Sequence, residues 1–464
     1  MNNLPLFTYL QILQLEYYQP QRLISWYLSH PFTFSLAQIV PLKYTQKVKF
    51  LIALTLIQYF FLSFLFFKSV LPLSLFFLGT FLLLFTPLTL VFSVLTFNLI
   101  ELLPKKLLSL QARRRLLSIN PYTIAITGSF GKTTTKDFLF QILDSYRSTF
   151  KTTHSYNTPL GIANSLLKGL TKFTRFAVLE FGAHYPGDIS ELASFFPPQS
   201  AIITGIGPQH LERFGTIDKI ITTKFEIAKH LKPEQLLLNI DNEYIKSYLD
   251  HHPNLKSAYT YSLSSSQASF YLSQSKFDQH GCSFILNYQQ QSIPFISPVF
   301  GTGNLSNLVA AIAQSILLEI PLKQIQKVVS TVTPAPHRLE LVKINLAAVI
   351  DNTYSSNFDG FNQIISDLTK VKGTKALVTP GLVELGSKSD SFHQSLGKSA
   401  ATVFDQIILV GQNQRTQNFA RGAKFAQSKT KIQFINRPDY WTVVRQLSLK
   451  YDWVLLENDL PQNY

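Results

Sequence analysis

Residues 121–146 read Pro121-Tyr-Thr-Ile-Ala-Ile-Thr-Gly-Ser-Phe-Gly-Lys-Thr-Thr-Thr-Lys-Asp-Phe-Leu-Phe-Gln-Ile-Leu-Asp-Ser-Tyr146, which predicts a buried strand, a glycine turn and an amphipathic helix in that order. Such a turn is a cradle for nucleotide phosphates. Its backbone amides from Gly128 to Thr133, with the positive end of the following helix dipole, face one spot where phosphate oxygens can be satisfied. Lys132 adds a mobile charge for the β- and γ-phosphates, and the Thr133 hydroxyl suits a place on Mg²⁺. The contacting set is Gly128, Ser129, Gly131, Lys132, Thr133 and Thr134. Ile126 stands where the longer P-loop spacing needs its first glycine, so only the shorter Thr-Gly-x-x-Gly-Lys-Thr form is present. The bland alternative is a tight strand-to-helix turn with an incidental lysine. Strand, glycines, lysine, hydroxyls and helix together favour the cradle.

The surrounding chain is long and basic. Its 464 residues exceed one simple core and suggest about three domains. The single cysteine, Cys282, allows no internal disulfide and points to a reducing compartment. A net charge of +15 favours anionic partners: nucleotides, an acidic membrane surface or nucleic acid. Nucleic acid is set aside, because no zinc-ligand spacing, helix-turn-helix pattern or aromatic-basic strand motif occurs.

Two uncharged apolar runs, 50–67 and 69–100, flank Lys68. A bilayer-crossing helix needs about 20 apolar residues, so each run is long enough to span. Neither has a polar face, which argues against a pair of core helices. Lys43, Lys47 and Lys49 precede the runs, and Lys105, Lys106, Arg113, Arg114 and Arg115 follow them. By the positive-inside rule both flanks are cytoplasmic and the turn from Lys68 to Pro72 faces outward. Pro87 is expected to kink the second run or make it re-entrant, which leaves two or three spans. The stretch from Gln11 to Leu28 suits a short amphipathic helix at the membrane surface, or a lead-in packed on the spans.

Beyond Asn120 the pattern alternates short apolar strands with helices, as an α/β parallel sheet with crossover helices requires. Strands are expected at Phe176 to Glu180, Ser200 to Thr204 and Gln235 to Asn239. Residues 262–275, rich in Ser and Gln, read as a solvated hairpin or loop. Pro334-Ala335-Pro336 marks a linker, and a second series follows at Ala347 to Asp351, Ala376 to Thr379, Gln406 to Val410 and Trp453 to Leu456. The expected layout is a cytoplasmic segment 1–45, transmembrane helices in 46–103, a basic linker 104–120, a strand-and-helix domain with the phosphate cradle at 121–333 and a second strand-and-helix domain at 334–464.

Open α/β sheets place ligands at strand ends. Glu180 ends a strand and suits Mg²⁺, which takes one or two carboxylates beside phosphate oxygens. His210 follows the next strand, and Lys224 lies on a predicted helix. Each alone reads as an ordinary surface residue.

Together, TGSFGKTT, Asn157 in YNTPLGIANSLL, LEFGAHYPGDI, ITGIGPQHLERFG, TKFEIAKHL, GNLSNLVAA, HRLEL and the Asp351 strand end resemble the ATP-dependent Mur ligases. Within that family they are most similar to the branch that adds D-alanyl-D-alanine to UDP-N-acetylmuramoyl-tripeptide. The resemblance covers roughly residues 124–456 and implies that 121–333 is a central ATP-binding domain and 334–464 a Rossmann-like domain that closes over it. It implies that Lys132 and Thr133 hold phosphates and metal, that Glu180 and His210 bind Mg²⁺, and that Lys224 matches the lysine carbamylated in the family. It places Asn157 near the γ-phosphate, Asn307 near the adenine and Asp351 in the nucleotide site. Arg338 matches the arginine that reaches the phosphates from the C-terminal domain.

Departures stand beside these matches. The Gly-x-His-x-x-Asn signature lacks its histidine at Gly301 to Asn307, and Asp351-Asn352-Thr353-Tyr354-Ser355-Ser356-Asn357-Phe358 replaces Asp-Asp-Ser-Tyr-Asn-Ala-Asn-Pro. Glu457-Asn458-Asp459 stands where the branch has lysine-glycine-serine, and membrane spans stand where the family has its UDP-sugar domain. The expectation is a ligase on the bacterial cytoplasmic membrane, its catalytic domains facing the cytoplasm. It would use ATP and Mg²⁺ to join a peptidoglycan precursor or other carboxylate acceptor, soluble or lipid-linked, to an amino acid or dipeptide amine through an acyl phosphate. A poly-γ-glutamate-type synthetase and a membrane-bound P-loop ATPase without ligase activity are the alternatives.

Overall fold

The computed structural model describes residues 5–15, 18, 20–29, 42–69, 74–208, 211–354, 356–383, 385, 388–426, 428–436 and 440–458. The chain divides into two compact units, Met1–Leu108 and Ser109–Tyr464.

The first unit is helical: Pro5–Leu15, Pro20–Ser29, Gln46–Ser69 and the start of a long helix, Ser74–Ile119. The single amphipathic helix expected from Gln11 to Leu28 is instead parts of two helices. Pro20 starts the second one, since proline lacks an amide hydrogen and is tolerated at a first position but not in an interior. The expected break at Pro87 does not occur, for Pro87 and Pro104 both lie inside the long helix. The lost bond at one proline is local, and the rest of the ladder continues past it. Residues 104–119, expected as a linker, are helical too.

Gln46–Ser69 and Ser74–Ile119 meet through polar groups. Thr55 Oγ1 lies 3.1 Å from Ser93 Oγ, and Tyr59 donates to Thr86 Oγ1 at 2.7 Å. Facing outward on the same helices are Leu56, Ile57, Phe60, Phe61, Phe64, Leu88, Phe92, Leu95 and Leu99, all exposed. Phenylalanine and leucine face outward across a seam that holds threonine and serine beside buried Leu51, Leu90 and Val94, unlike the polar outer face of a water-facing helix pair. Among the described residues one helix segment, Thr86–Ile119, is long and apolar enough to cross a membrane.

The second unit holds two sheets. The first comprises β1 (Tyr122–Thr127), β2 (Thr149–Lys151), β3 (Phe176–Glu180), β4 (Ser200–Ile203), β5 (Leu236–Asn239), β6 (Tyr259–Ser262), β7 (Phe270–Asp278), β8 (Gly281–Tyr288) and β9 (Gln291–Ser297). Their order is β2-β3-β1-β4-β5-β6-β7-β8-β9, parallel as far as β7 and antiparallel in the last two pairings. The Ser/Gln-rich stretch 262–275 is a loop running into β7, the first arm of the β7/β8 hairpin. Helices Lys132–Asp144 and Thr302–Leu317 cover one face, where Phe138, Leu139, Ile142, Leu308 and Ile312 close the core over Ile124 and Ile126.

The second sheet has β10 (Glu340–Ile344), β11 (Ala347–Asn352), β12 (Lys375–Thr379), β13 (Gln406–Val410), β14 (Lys431–Ile435) and β15 (Trp453–Glu457), in the order β10-β11-β15-β12-β13-β14. Only the β10/β11 pairing is antiparallel. The mixed α/β fold built on parallel sheets is the one expected, with strand ends shifted by a residue or so.

Candidate active site

β1 pairs with β3 on one side and β4 on the other. The chain passes from β3 to β4 across it, so the strand order reverses there and opens a crevice outside the carboxyl ends. Three exits meet at that crevice: the glycine loop from β1, Glu180 from β3 and the turn after Ile203 from β4.

Gly131, at φ 82°, caps helix Lys132–Asp144 without a side-chain acceptor. The first-turn amides are therefore left for an anion. A Cβ on Gly131 would stand 2.4 Å from Asn307 Oδ1, and one on Gly128 2.3 Å from Thr204 Oγ1. The loop approaches its neighbours this closely only because both positions lack side chains. Ser129 Oγ bonds the Gly207 carbonyl and accepts from the Gly207 amide, each at 3.1 Å, which ties the β1 loop to the β4 exit.

Lys132 Nζ lies back on its own loop, donating to the carbonyls of Gly128 at 2.7 Å and Ser129 at 3.0 Å. Burial pushes its pKa below the ordinary lysine value; Glu180 opposes that shift and Arg338 adds to it. Glu180, buried at the end of β3, gathers three side chains. Its Oε2 accepts from Thr133 Oγ1 at 3.0 Å and Lys136 Nζ at 3.1 Å, and its Oε1 from Asn157 Nδ2 at 3.2 Å. Lys136 is itself 1 % exposed and also donates to the His154 carbonyl. A carboxylate and an ammonium so deeply buried are tolerable only as a pair with further hydrogen bonds.

Beside these groups lies an open cleft of about 350 Å³, lined by Gly128, Ser129, Lys132, Asn157, Gly182, Ala183, His184, Phe214, Ile220 and Lys224. Lys224, on helix Ile217–Phe225, is 4 % exposed. Burial brings its pKa down to about 7, with Lys132 adding to the shift and Asp188 and Glu226 opposing it. Those two carboxylates shape the loop after β3. Asp188 Oδ2 accepts from the amides of His184 and Tyr185 at 2.8 and 2.9 Å, and Glu226 from those of Gly187 and Ser190 at 2.6 and 3.1 Å. Arg213 Nη1 lies 3.0 Å from His184 Nδ1.

From the C-terminal segment, the Arg338 guanidinium sits 4.2 Å from the centroid of the Tyr354 ring. Asn304 Nδ2 donates to the carbonyls of Arg338 at 3.2 Å and Leu339 at 3.3 Å, so the helix Thr302–Leu317 holds the start of that segment. Asp351 Oδ2 is 2.8 Å from His337 Nδ1, and Oδ1 accepts from the Thr353 amide and hydroxyl at 3.1 and 2.6 Å.

The structure thus brings Gly128, Ser129, Gly131, Lys132, Thr133, Asn157, Glu180 and Lys224 to one place. Asn307 backs the loop, accepting from Thr135 Oγ1 at 3.2 Å. Thr134 is buried in the first turn of the helix, and Asp351 lies apart from the cleft-lining set, in its cluster with His337 and Thr353. His210 lies outside the described residues. Sequence reasoning passed over Lys136, His184, Asp188, Arg213 and Glu226. Lys136 had a signal, four residues after Lys132 on the helix face that meets the sheet; the others meet only through the fold.

Fold and site together define a P-loop nucleotide-binding α/β protein with a second, mostly parallel C-terminal sheet. Residues 126–315 match the Mur ligase middle domain. The chain is 30% identical over 317 residues to the UDP-N-acetylmuramoyl-tripeptide–D-alanyl-D-alanine ligase of Buchnera aphidicola subsp. Acyrthosiphon pisum, covering 67% of this chain and 70% of that one. To the ligase of the same name from Escherichia coli it is 27% identical over 302 residues, 64% of this chain and 66% of the other. Among solved structures, MurF from Acinetobacter baumannii matches with a TM-score of 0.66 at 27% identity, covering 76% of this chain and 77% of that one. MurF ligase from Thermotoga maritima in complex with ADP matches at 0.64 and 25% identity, covering 76% and 80%. The chain belongs to the Mur ligase family, the ATP-dependent ligases that form amide bonds.

Proposed function

We propose that this chain is a membrane-anchored ligase that adds D-alanyl-D-alanine to the tripeptide of a UDP-N-acetylmuramoyl peptidoglycan precursor. The observation that carries the reading is the convergence of Lys132, Thr133, Glu180, Asn157 and Lys224 on one cleft at the switch point. The relatives that match over about two thirds of the chain bear that activity in their names.

A carboxylate is a poor electrophile, and the acceptor's must become an acyl phosphate before an amine can displace the phosphate. The glycine-loop amides hold the donor phosphates, and Lys132 moves from its own loop carbonyls to the transferring group. Arg338 brings a second cation from the C-terminal segment. Closure of that segment over the crevice would keep water from the acyl phosphate. Mg²⁺ fits the donor set: Thr133 and Glu180 already converge, and they would hold it together with His210 and Lys224. Bound there it would neutralise charge on the phosphates.

Lys224 suits that role only as a carbamate. An amine with a pKa of about 7 is substantially uncharged near neutrality and able to add CO₂, which converts a repelling cation into an anionic ligand. In this reading residues 121–333 bind ATP and residues 334–464 close over the nucleotide. Residues 46–103 anchor the enzyme in the bacterial cytoplasmic membrane with its catalytic part in the cytoplasm. The polar seam and apolar exterior of the two long helices support the anchor.

Purified protein in detergent, given ATP, Mg²⁺, UDP-N-acetylmuramoyl-tripeptide and D-alanyl-D-alanine, tests the reading. ADP release is expected to require both substrates and to equal amide formation one for one. Hydrolysis independent of both, with no amide product, would indicate an ATPase without ligase activity.

A further inference from the structure

We infer that His184 and Arg213 form an anion-recognition pair that positions the acceptor's carboxylate for phosphorylation, an inference that rests on the ligase reading above. The pair links two strand exits. His184 comes from the exit of β3 and lines the cleft beside Lys132, Asn157 and Lys224. Arg213 comes from the short helix Leu211–Phe214, on the exit of β4. Its Nη1 lies 3.0 Å from His184 Nδ1.

That contact fixes the chemistry of the ring. A guanidinium only donates, so Nδ1 is the acceptor and the proton of the neutral imidazole sits on Nε2. Burial lowers the His184 pKa from its ordinary value, and Arg213, Lys224 and Lys132 lower it further against the opposing charge of Asp188. The ring therefore stays neutral near physiological pH. Its backbone is equally fixed, because the His184 amide donates to Asp188 Oδ2 at 2.8 Å.

Two anions must meet here, and only one has an evident host. The nucleotide phosphates have the glycine-loop amides and Lys132 at the β1 exit. The acceptor's carboxylate must lie close to them and remain unprotonated, since its oxygen attacks phosphorus. A neutral imidazole N–H and a guanidinium can orient that oxygen by hydrogen bonding without surrendering a proton. The pair joins the two exits that flank the phosphate loop, with His184 in the cleft beside Lys132 and Arg213 behind it on His184.

The test compares the full-length wild type with His184→Asn, Arg213→Met and Arg213→Lys in the amide-forming assay, varying UDP-N-acetylmuramoyl-tripeptide and ATP in turn. The KM for the tripeptide is expected to rise about 10- to 100-fold in His184→Asn and Arg213→Met, the loss of a hydrogen bond to a charged group. Arg213→Lys should recover part of it, and the KM for ATP should stay within about twofold. An unchanged tripeptide KM overturns the inference. So does an equal rise in both KM values in His184→Asn and Arg213→Met, which would mark a structural role. If the wild type itself forms no amide, the ligase reading fails and the pair's assignment falls with it.

Discussion

At the residue scale the site is a set of charges held ready by other charges. Lys132 rests on two carbonyls of its own loop, so its ammonium is desolvated before any phosphate arrives and can move a short way to meet one. Lys132→Ala should leave the loop amides in place and lower ATP turnover by about 100-fold or more. Steady-state ADP release measures this, and turnover near the parent rate would remove Lys132 from the mechanism. Glu457 differs in kind. It ends β15, buried, with both oxygens 3.0 Å from Asn352 Nδ2, and burial lifts its pKa to about 7. Between the ordinary carboxylate value and 7 the folded protein binds a proton there that the unfolded chain has lost. The residue's contribution to stability therefore falls as pH rises through that window. Glu457→Gln should gain on the wild type from pH 5 to pH 8, by roughly 1–3 kcal/mol in the difference between the two. Melting temperatures across that range would show it, and a pH-independent difference would mean that Glu457 is ionised in the fold.

At the scale of elements, the β1 strand, glycine loop and helix were legible because each step has a local cause. Apolar residues bury β1, glycine supplies the left-handed turn, and no side chain caps the helix. Glu180 was legible for the same reason, as an acid at the end of an apolar strand. His184 and Arg213 were not, since they are 29 residues apart and meet only because β3 and β4 flank β1. Lys136 was hidden by its neighbours: a lysine in a helix usually reaches solvent, and only the packing of that helix against β3 places it on Glu180. The near-neutral pKa of Lys224 is likewise a property of burial, which no local pattern displays. The loop's tight approach gives a direct test. Gly131→Ala would put a methyl 2.4 Å from Asn307 Oδ1 at a φ of 82°, so about 1–3 kcal/mol of strain is expected, with at least tenfold weaker ATP binding. Calorimetric titration with ADP would detect both loss of affinity and loss of folded protein. Undiminished affinity would mean that the loop does not hold phosphate as drawn here.

At the scale of the whole molecule, a Mur ligase fold follows a helix pair whose exposed positions carry phenylalanine and leucine. If those helices cross the bilayer, Phe60 and Phe92, 76 % and 61 % exposed, face lipid. Replacing both by arginine should cost about 2.5–3.5 kcal/mol each near a span's centre and shift the protein out of the alkaline-washed membrane fraction. Release of the wild type by the same wash would end the membrane reading. Confinement to a surface raises effective concentration only for a partner on the same surface. Lys105 and Lys106, in the helix that follows the apolar stretch, would each add about 1 kcal/mol of attraction to anionic headgroups or a lipid pyrophosphate. A soluble UDP-linked acceptor gains nothing from either effect. A chain beginning at Ser109 should therefore ligate UDP-N-acetylmuramoyl-tripeptide with an unchanged KM, while losing more than about tenfold in turnover of a lipid-linked muropeptide in vesicles. Equal losses on both acceptors would show that the helices support the catalytic fold itself, and no loss on either would reduce them to a tether.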